Sequence, residues 1–324
     1  MRVPGIHKIF FLFILSLLLA GPATAELLVA VTVEPQAYAV ERVGGKLVSS
    51  VVLVPAGADP HTYEPKPSQV AKLANADMYL TIGLEFEKAW LGRLAAANPN
   101  LRVRPMNAGL EHGDKQAVHE PAEQHDAVAT HHHDASSHMT GQHAVERHDG
   151  AEPATGHHHH NGLDPHVWTA PMNMEHMARN VLEYFLELDP ANAKTYRGNY
   201  AAFAAEIAVL DAELNRMFLV IPESQRVFLV FHPAWGHFAK AYGLTQFSIE
   251  VDGKEPGPVE MARIISRAKE HGVRAVFVQP QISRRTAGVV ASSLGASLVE
   301  ADPLARDWAA NLRIVAGALA DAMR

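Results

Sequence analysis

The sequence contains no cysteine. That single absence excludes disulfide frameworks, thiolate metal sites, thiol nucleophiles and a lipid-modified N-terminal cysteine. Excess basic charge is missing too. Lys and Arg number 28 against 35 Asp and Glu, giving a formal charge of -7 and a pI near 6.3. Such a chain carries no electrostatic footprint for nucleic acid or an anionic membrane. Long apolar runs are also lacking. A spanning helix needs about 20 apolar residues, whereas the run at residues 9–20 is twelve residues long and is interrupted by Ser16. Neither an H-E-x-x-H helix motif nor a G-x-S-x-G elbow occurs, which removes the usual sequence signals of zinc and serine hydrolases.

What is present suits a globular protein. With 324 residues, 48% hydrophobic and 19% charged, most of the chain can bury a core, and the length suggests about two domains at roughly 150 residues each. Arg2 and Lys8 precede the apolar run and Ala23-Thr24-Ala25 follows it. Residues 1–25 therefore read as a cleavable secretory signal peptide. The mature chain is expected to be exported to the periplasm, soluble, unanchored and monomeric.

From residue 26 the pattern alternates strand and helix. Strands are predicted at 27–33, 46–54, 78–82 and 101–104, with helices at 36–43, 68–75 and 85–97. Helices at 172–188 and 191–217 follow, the second with Phe203, Ile207, Leu210 and Leu214 at helical spacing. A second series places strands at 226–231, 246–251, 274–279 and 297–300 and helices at 234–242, 258–271, 284–295 and 307–323. Repeated β-α units imply parallel sheets. The expected fold is α/β: an N-terminal lobe over 26–189, a long linking helix over 190–217 and a C-terminal lobe over 218–324.

Residues 111–162 break this pattern. They hold thirteen histidines and no Phe, Tyr, Trp, Leu or Ile, with nine acidic and two basic groups. Too little apolar surface is available to offset ordering entropy, so this stretch is predicted to be a disordered insertion. Its runs His131, His132, His133 and His157, His158, His159, His160 suit several weak Zn²⁺ sites, because imidazoles with a pKa near 6.5 are mostly neutral at pH 7. A metal-gathering role or a reservoir is expected, with a plain spacer as the rival.

Six histidines remain in the mature chain: His61, His166, His176, His232, His237 and His271. His61 lies in GADPHTYEP after a predicted strand, His232 directly follows the strand at 226–231, and His166 lies in DPHVW at the exit of the insertion. Ligands in open α/β sheets collect beyond the carboxyl ends of strands, and the adjacent prolines restrict the backbone that carries each ring. His176 and His271 fall among polar neighbours on helices and are given no role. His237, five residues after His232, is read as supporting or structural because that spacing does not stack two side chains.

GADPHTYEPKPSQ, DPHVW and FHPAWGHFAKAYGL resemble the three signature segments of the metal-binding solute-binding proteins of bacterial zinc and manganese ABC importers. The His-rich acidic insertion resembles that of the zinc-specific, ZnuA-like branch, and the resemblance spans essentially the whole mature chain. It implies two (β/α) lobes on a rigid helix with one metal in the interlobe cleft, modest lobe movement and no catalysis. His61, His166 and His232 would supply imidazole ligands, and Asp302 matches the family's C-lobe carboxylate. Pro60 stands where some zinc members carry an acidic ligand, so the fourth position is left to Asp302 first, water second and Glu64 third. Three imidazoles suit tetrahedral Zn²⁺. Manganese members typically exchange one imidazole for Glu, so His232 favours zinc. The implied partners are an inner-membrane permease and, through it, its ATPase. Manganese or iron binding in the same fold is the near alternative, and an exported zinc hydrolase using Glu64 as base is the remote one.

Overall fold

The computed structural model describes residues 26–110, 164–251 and 253–324. The signal peptide read at 1–25 and the His-rich insertion, with its auxiliary histidines 131–133 and 157–160, lie outside the described residues.

Among these residues, eight strands sort into two sheets. The first lobe alternates β1 (Leu27–Val31), α1 (Glu34–Gly44), β2 (Val48–Val52), α2 (Pro67–Leu73), β3 (Met78–Thr81), α3 (Glu85–Ala97) and β4 (Arg102–Pro105). Two helices follow, α4 (Pro171–Leu188) and α5 (Ala193–Leu219). The second lobe runs β5 (Val227–Val230), α6 (Gly236–Tyr242), β6 (Thr245–Ser248), α7 (Pro258–Glu270), β7 (Ala275–Val278), α8 (Arg284–Leu294), β8 (Ser297–Glu300) and α9 (Trp308–Met323). All pairings are parallel, and the orders are β2-β1-β3-β4 and β6-β5-β7-β8. The central strands β1, β5 and β7 are apolar throughout because both faces are covered: Val29, Ala30 and Val31 are fully buried, as is Val276. In both sheets the chain reverses its direction of travel at the first strand, so loops part there and open a crevice beyond the carboxyl ends.

Several strands stop earlier than their apolarity suggests. Thr32 and Val33 are buried but leave the ladder, because both amides donate to Gln36 Oε1 (2.9 and 3.1 Å). Gly45 takes φ +58°, and residues 45–47 form a 3₁₀ turn where a strand start was expected. Past β6, Val251 pairs with Lys254 in an isolated bridge, which turns the chain away.

The linking helix α5 has 27 residues and is therefore about 40 Å long. It starts two residues later than expected, since residues 190–192 form a 3₁₀ turn; Asp189 Oδ2 braces this turn by accepting from Asn192 Nδ2 (2.6 Å) and Tyr196 OH (2.7 Å). Tyr196, Phe203, Ile207, Leu210, Leu214 and Phe218 form its buried stripe. The front half of α5 packs on α1 and α4, where Asn199 donates to Val43 O and Tyr200 OH to Glu175, and the rear half on α9 and α6, where Arg313 donates to Glu213 and Tyr242 OH to Asp211. One apolar core therefore runs from the first lobe through α5 into the second.

The lobes are also pinned directly. Trp168 Nε1 donates to Pro303 O (2.7 Å), and Trp308 Nε1 donates to Trp168 O (2.8 Å). Arg306 bridges Glu34 and Glu41 on α1 at 2.6 and 2.7 Å. Both Trp donors are buried, so they fix the distance across the cleft more firmly than the exposed Arg306 pairs do.

Candidate metal centre

Loops at the carboxyl ends of the strands deliver the chemistry. His61 follows β2, His232 follows β5, and His166 precedes a 3₁₀ turn at Val167–Thr169. Their rings converge. Centroids lie 5.8 Å apart for His61 and His166, 5.0 Å for His61 and His232, and 5.2 Å for His166 and His232. One nitrogen from each lies within 4.8 Å of the other two. Three nitrogens on one zinc at about 2.0–2.1 Å would sit about 3.3–3.4 Å apart. Small ring movements close that difference.

Each ring is held by a carboxylate through Nδ1. His61 Nδ1 pairs with Glu85 Oε2 at 2.9 Å, His166 Nδ1 with Asp164 Oδ1 at 2.7 Å, and His232 Nδ1 with Glu250 Oε2 at 2.6 Å. An ionised carboxylate only accepts, so Nδ1 carries the proton and Nε2 keeps its lone pair. His232 Nε2 is buried with no hydrogen-bond partner. A buried acceptor left in that state is costly and is what a metal ligand looks like before its ion arrives.

The supports run deeper. Glu87 accepts from the amides of Ile82 (2.9 Å) and Gly83 (2.6 Å) and from the Thr32 hydroxyl, which fixes the turn that presents Glu85. Asp59 Oδ1 accepts from the His61 amide and Asp164 Oδ1 from the His166 amide, both at 3.0 Å. The two Asp-Pro-His segments therefore make the same Asx turn. They differ in the ring: only Asp164 also takes its own histidine's Nδ1. His237 Nε2 donates to the Asp164 carbonyl at 3.0 Å, so this histidine braces the His166 loop from the opposite lobe. His176 Nε2 donates to Ala108 O at 2.7 Å, and His271 packs its ring on Phe247; neither joins the cluster.

Protonation differs between the ligand candidates. Burial drives the His166 pKa down to about 4 despite Asp164. For His61 burial also acts downward, but the Glu85 hydrogen bond and charge, with Asp59 and Glu250, outweigh it and raise the net value. The His61 hydrogen bond in turn holds the Glu85 carboxyl at about 2, against the upward pull of burial. Burial pushes Asp164 up as well, and the His166 hydrogen bond and charge bring it below its ordinary range.

Asp302, placed first for the fourth position by the family resemblance, is not in the cluster. Its Oδ1 accepts from Gln281 Nε2 and from the Leu304 amide, both at 2.9 Å. Glu64 is exposed and also outside the cluster. Sequence reasoning missed Glu85, Asp164 and Glu250 as orienting groups. Asp164 was visible in the Asp-Pro-His segment, but nothing local marks the other two.

Gly236 shows how tightly Asp164 is seated. A Cβ there would lie 2.5 Å from Asp164 Oδ2. Gly236→Ala should therefore displace the carboxylate that holds His166 and weaken metal binding by about 10-fold or more, the usual range for losing an outer partner of a ligand. Chelator competition measures it, and an unchanged affinity would contradict the orienting role of Asp164.

Comparison with known proteins identifies the family. A family model described as zinc-uptake complex component A, periplasmic, matches residues 29–322. A crystal structure of ZnuA superimposes with a TM-score of 0.76 at 35% identity, covering 92% of this chain and 99% of that one. The high-affinity zinc uptake system protein ZnuA of Yersinia pestis is 27% identical over 296 residues, 89% of this chain and 87% of its own length. The manganese-binding lipoprotein MntA of Halalkalibacterium halodurans is 25% identical over 260 residues, 80% of this chain and 72% of its own.

Proposed function

Because the chain belongs to the zinc-uptake complex component A family, we propose that it captures Zn²⁺ in the periplasm and delivers it to an inner-membrane ABC permease served by a cytoplasmic ATPase. The observation that carries this reading is the trio His61, His166 and His232, each with Nδ1 anchored on a carboxylate and Nε2 free to coordinate. Zn²⁺ favours neutral imidazoles in four-coordinate sites, and water completes the set while Asp302 is engaged elsewhere. Zinc is cargo here. Capture and delivery make and break coordination bonds only, and no substrate bond is cleaved. Glu64, the base a hydrolase reading requires, is exposed outside the cluster.

Manganese is the rival cargo, given the MntA relative. Hard Mn²⁺ prefers carboxylate and carbonyl oxygens over imidazole nitrogen, and the cluster offers three nitrogens. Competition of Zn²⁺ against Mn²⁺ on metal-free protein decides: preferential retention of manganese would overturn the zinc reading.

The histidines of residues 111–162 collect scarce metal for the cleft. Deleting 111–162 should leave one tight zinc per chain, lower the total stoichiometry and slow uptake at limiting zinc. Loss of the tight site itself would contradict this division of labour. Calorimetry and uptake assays read both quantities.

A further inference from the structure

Each of the four strands of the second lobe carries a polar side chain beyond its carboxyl end: His232 after β5, Glu250 after β6, Gln281 after β7 and Asp302 after β8. His232 and Glu250 pair with each other. Gln281 and Asp302 form the second pair, Nε2 to Oδ1 at 2.9 Å. We propose that Gln281 restrains the Asp302 carboxylate away from the three-imidazole cluster, and so sets the preference of the site for a borderline ion over a hard, oxygen-seeking one. This deepens the zinc-capture reading and rests on it.

Two observations carry the proposal. Asp302 Oδ1 is doubly occupied, accepting from Gln281 Nε2 and the Leu304 amide. An oxygen with two donors has less charge to offer a metal. The Leu304 contact is an Asx turn like those at Asp59 and Asp164, so the turn fixes the loop and Gln281 adds the second hold. The other observation is that Gln281 Oε1 is buried without a partner. The amide cannot rotate to relieve this, because rotation would set Oε1 against the Asp302 carboxylate. A charge-assisted hydrogen bond and an unsatisfied buried carbonyl are of similar size and opposite sign. Gln281 therefore adds little net stability, and its effect lies in where Asp302 is kept.

The consequence for selectivity follows from ligand chemistry. Zinc is satisfied by three imidazoles and a water, so withholding a carboxylate costs it little. Manganese binds chiefly through oxygen and loses most when Asp302 is held back.

The test measures Zn²⁺ and Mn²⁺ affinities of the full-length chain by competition with chelators tight enough to strip the weak His-rich sites. Gln281→Leu removes the donor, and Gln281→Asn retracts it by one methylene without creating an apolar surface. In both, Mn²⁺ binding should tighten relative to Zn²⁺ by about 10-fold, the low end of effects from outer partners of metal ligands. In an Asp302→Ala background the same substitutions should leave the Zn²⁺ to Mn²⁺ ratio unchanged. A ratio unaffected by either Gln281 variant, or altered equally without Asp302, overturns the proposal while the zinc site stands. An unsubstituted chain with no tight zinc overturns the function reading itself.

Discussion

Tightly held zinc disappears when His61, His166 and His232 are all alanine in a chain lacking residues 111–162. Zinc sites in which folding supplies the ligands are worth about 10–16 kcal/mol, or roughly 2.5–4 kcal/mol for each of four ligands. Loss of three imidazoles then removes on the order of 10 kcal/mol, more than six decades in affinity by the usual conversion. His166→Ala alone should cost about 100- to 1000-fold, because its ring is buried and locked by Asp164. The deletion matters to the design, since thirteen other histidines would mask the loss. Retention of one zinc against a nanomolar chelator by the triple variant, folded by circular dichroism, would refute the cluster as the capture site.

Acid weakens capture, and the site residues contribute unequally. Protons compete with the ion for imidazole nitrogen, so affinity falls wherever a free ligand is protonated. The free His166 titrates near 4 and stays neutral from pH 7 to 5, so it adds nothing to the pH dependence in that window. The free His61 is raised above the ordinary histidine value of about 6.5, so it is mostly protonated at pH 5. From His61 alone the zinc affinity should drop at least about 20-fold between pH 7 and 5, one proton being displaced per ion bound. Glu85→Gln removes the group that raises His61. It should therefore shift the decline to lower pH, while weakening binding at pH 7 through the loss of orientation. Titration with a zinc indicator across that range measures both effects. A flat profile would exclude an imidazole-based site, and an unshifted Glu85→Gln profile would exclude the coupling to Glu85.

Much of the scaffold was legible because its signals are local. The stripe Phe203, Ile207, Leu210 and Leu214 predicted the long helix, and all four residues are buried on it. Strand positions were legible as well, although their ends were overrun. Apolarity reports burial rather than pairing, and Val33, Leu53 and Val54 are buried just beyond the ladders. The convergent histidines were legible from the two Asp-Pro-His segments and the strand-end His232. Their partners were not. Glu85 lies 24 residues from His61 and Glu250 lies 18 from His232, and no rule of spacing links residues that meet only through a sheet.

The sequence by itself determined the β-α alternation, the length of α5 and which imidazoles stand at strand ends, because periodicity, proline placement and composition act over a few neighbouring residues. Only the tertiary structure decided which carboxylate holds each ring, that Nε2 of His232 is left without a partner, and that Asp302 is engaged by Gln281. Those are distances between segments far apart in the chain. They are set by the continuous core along α5 and by the Trp168 and Trp308 hydrogen bonds that pin one lobe to the other.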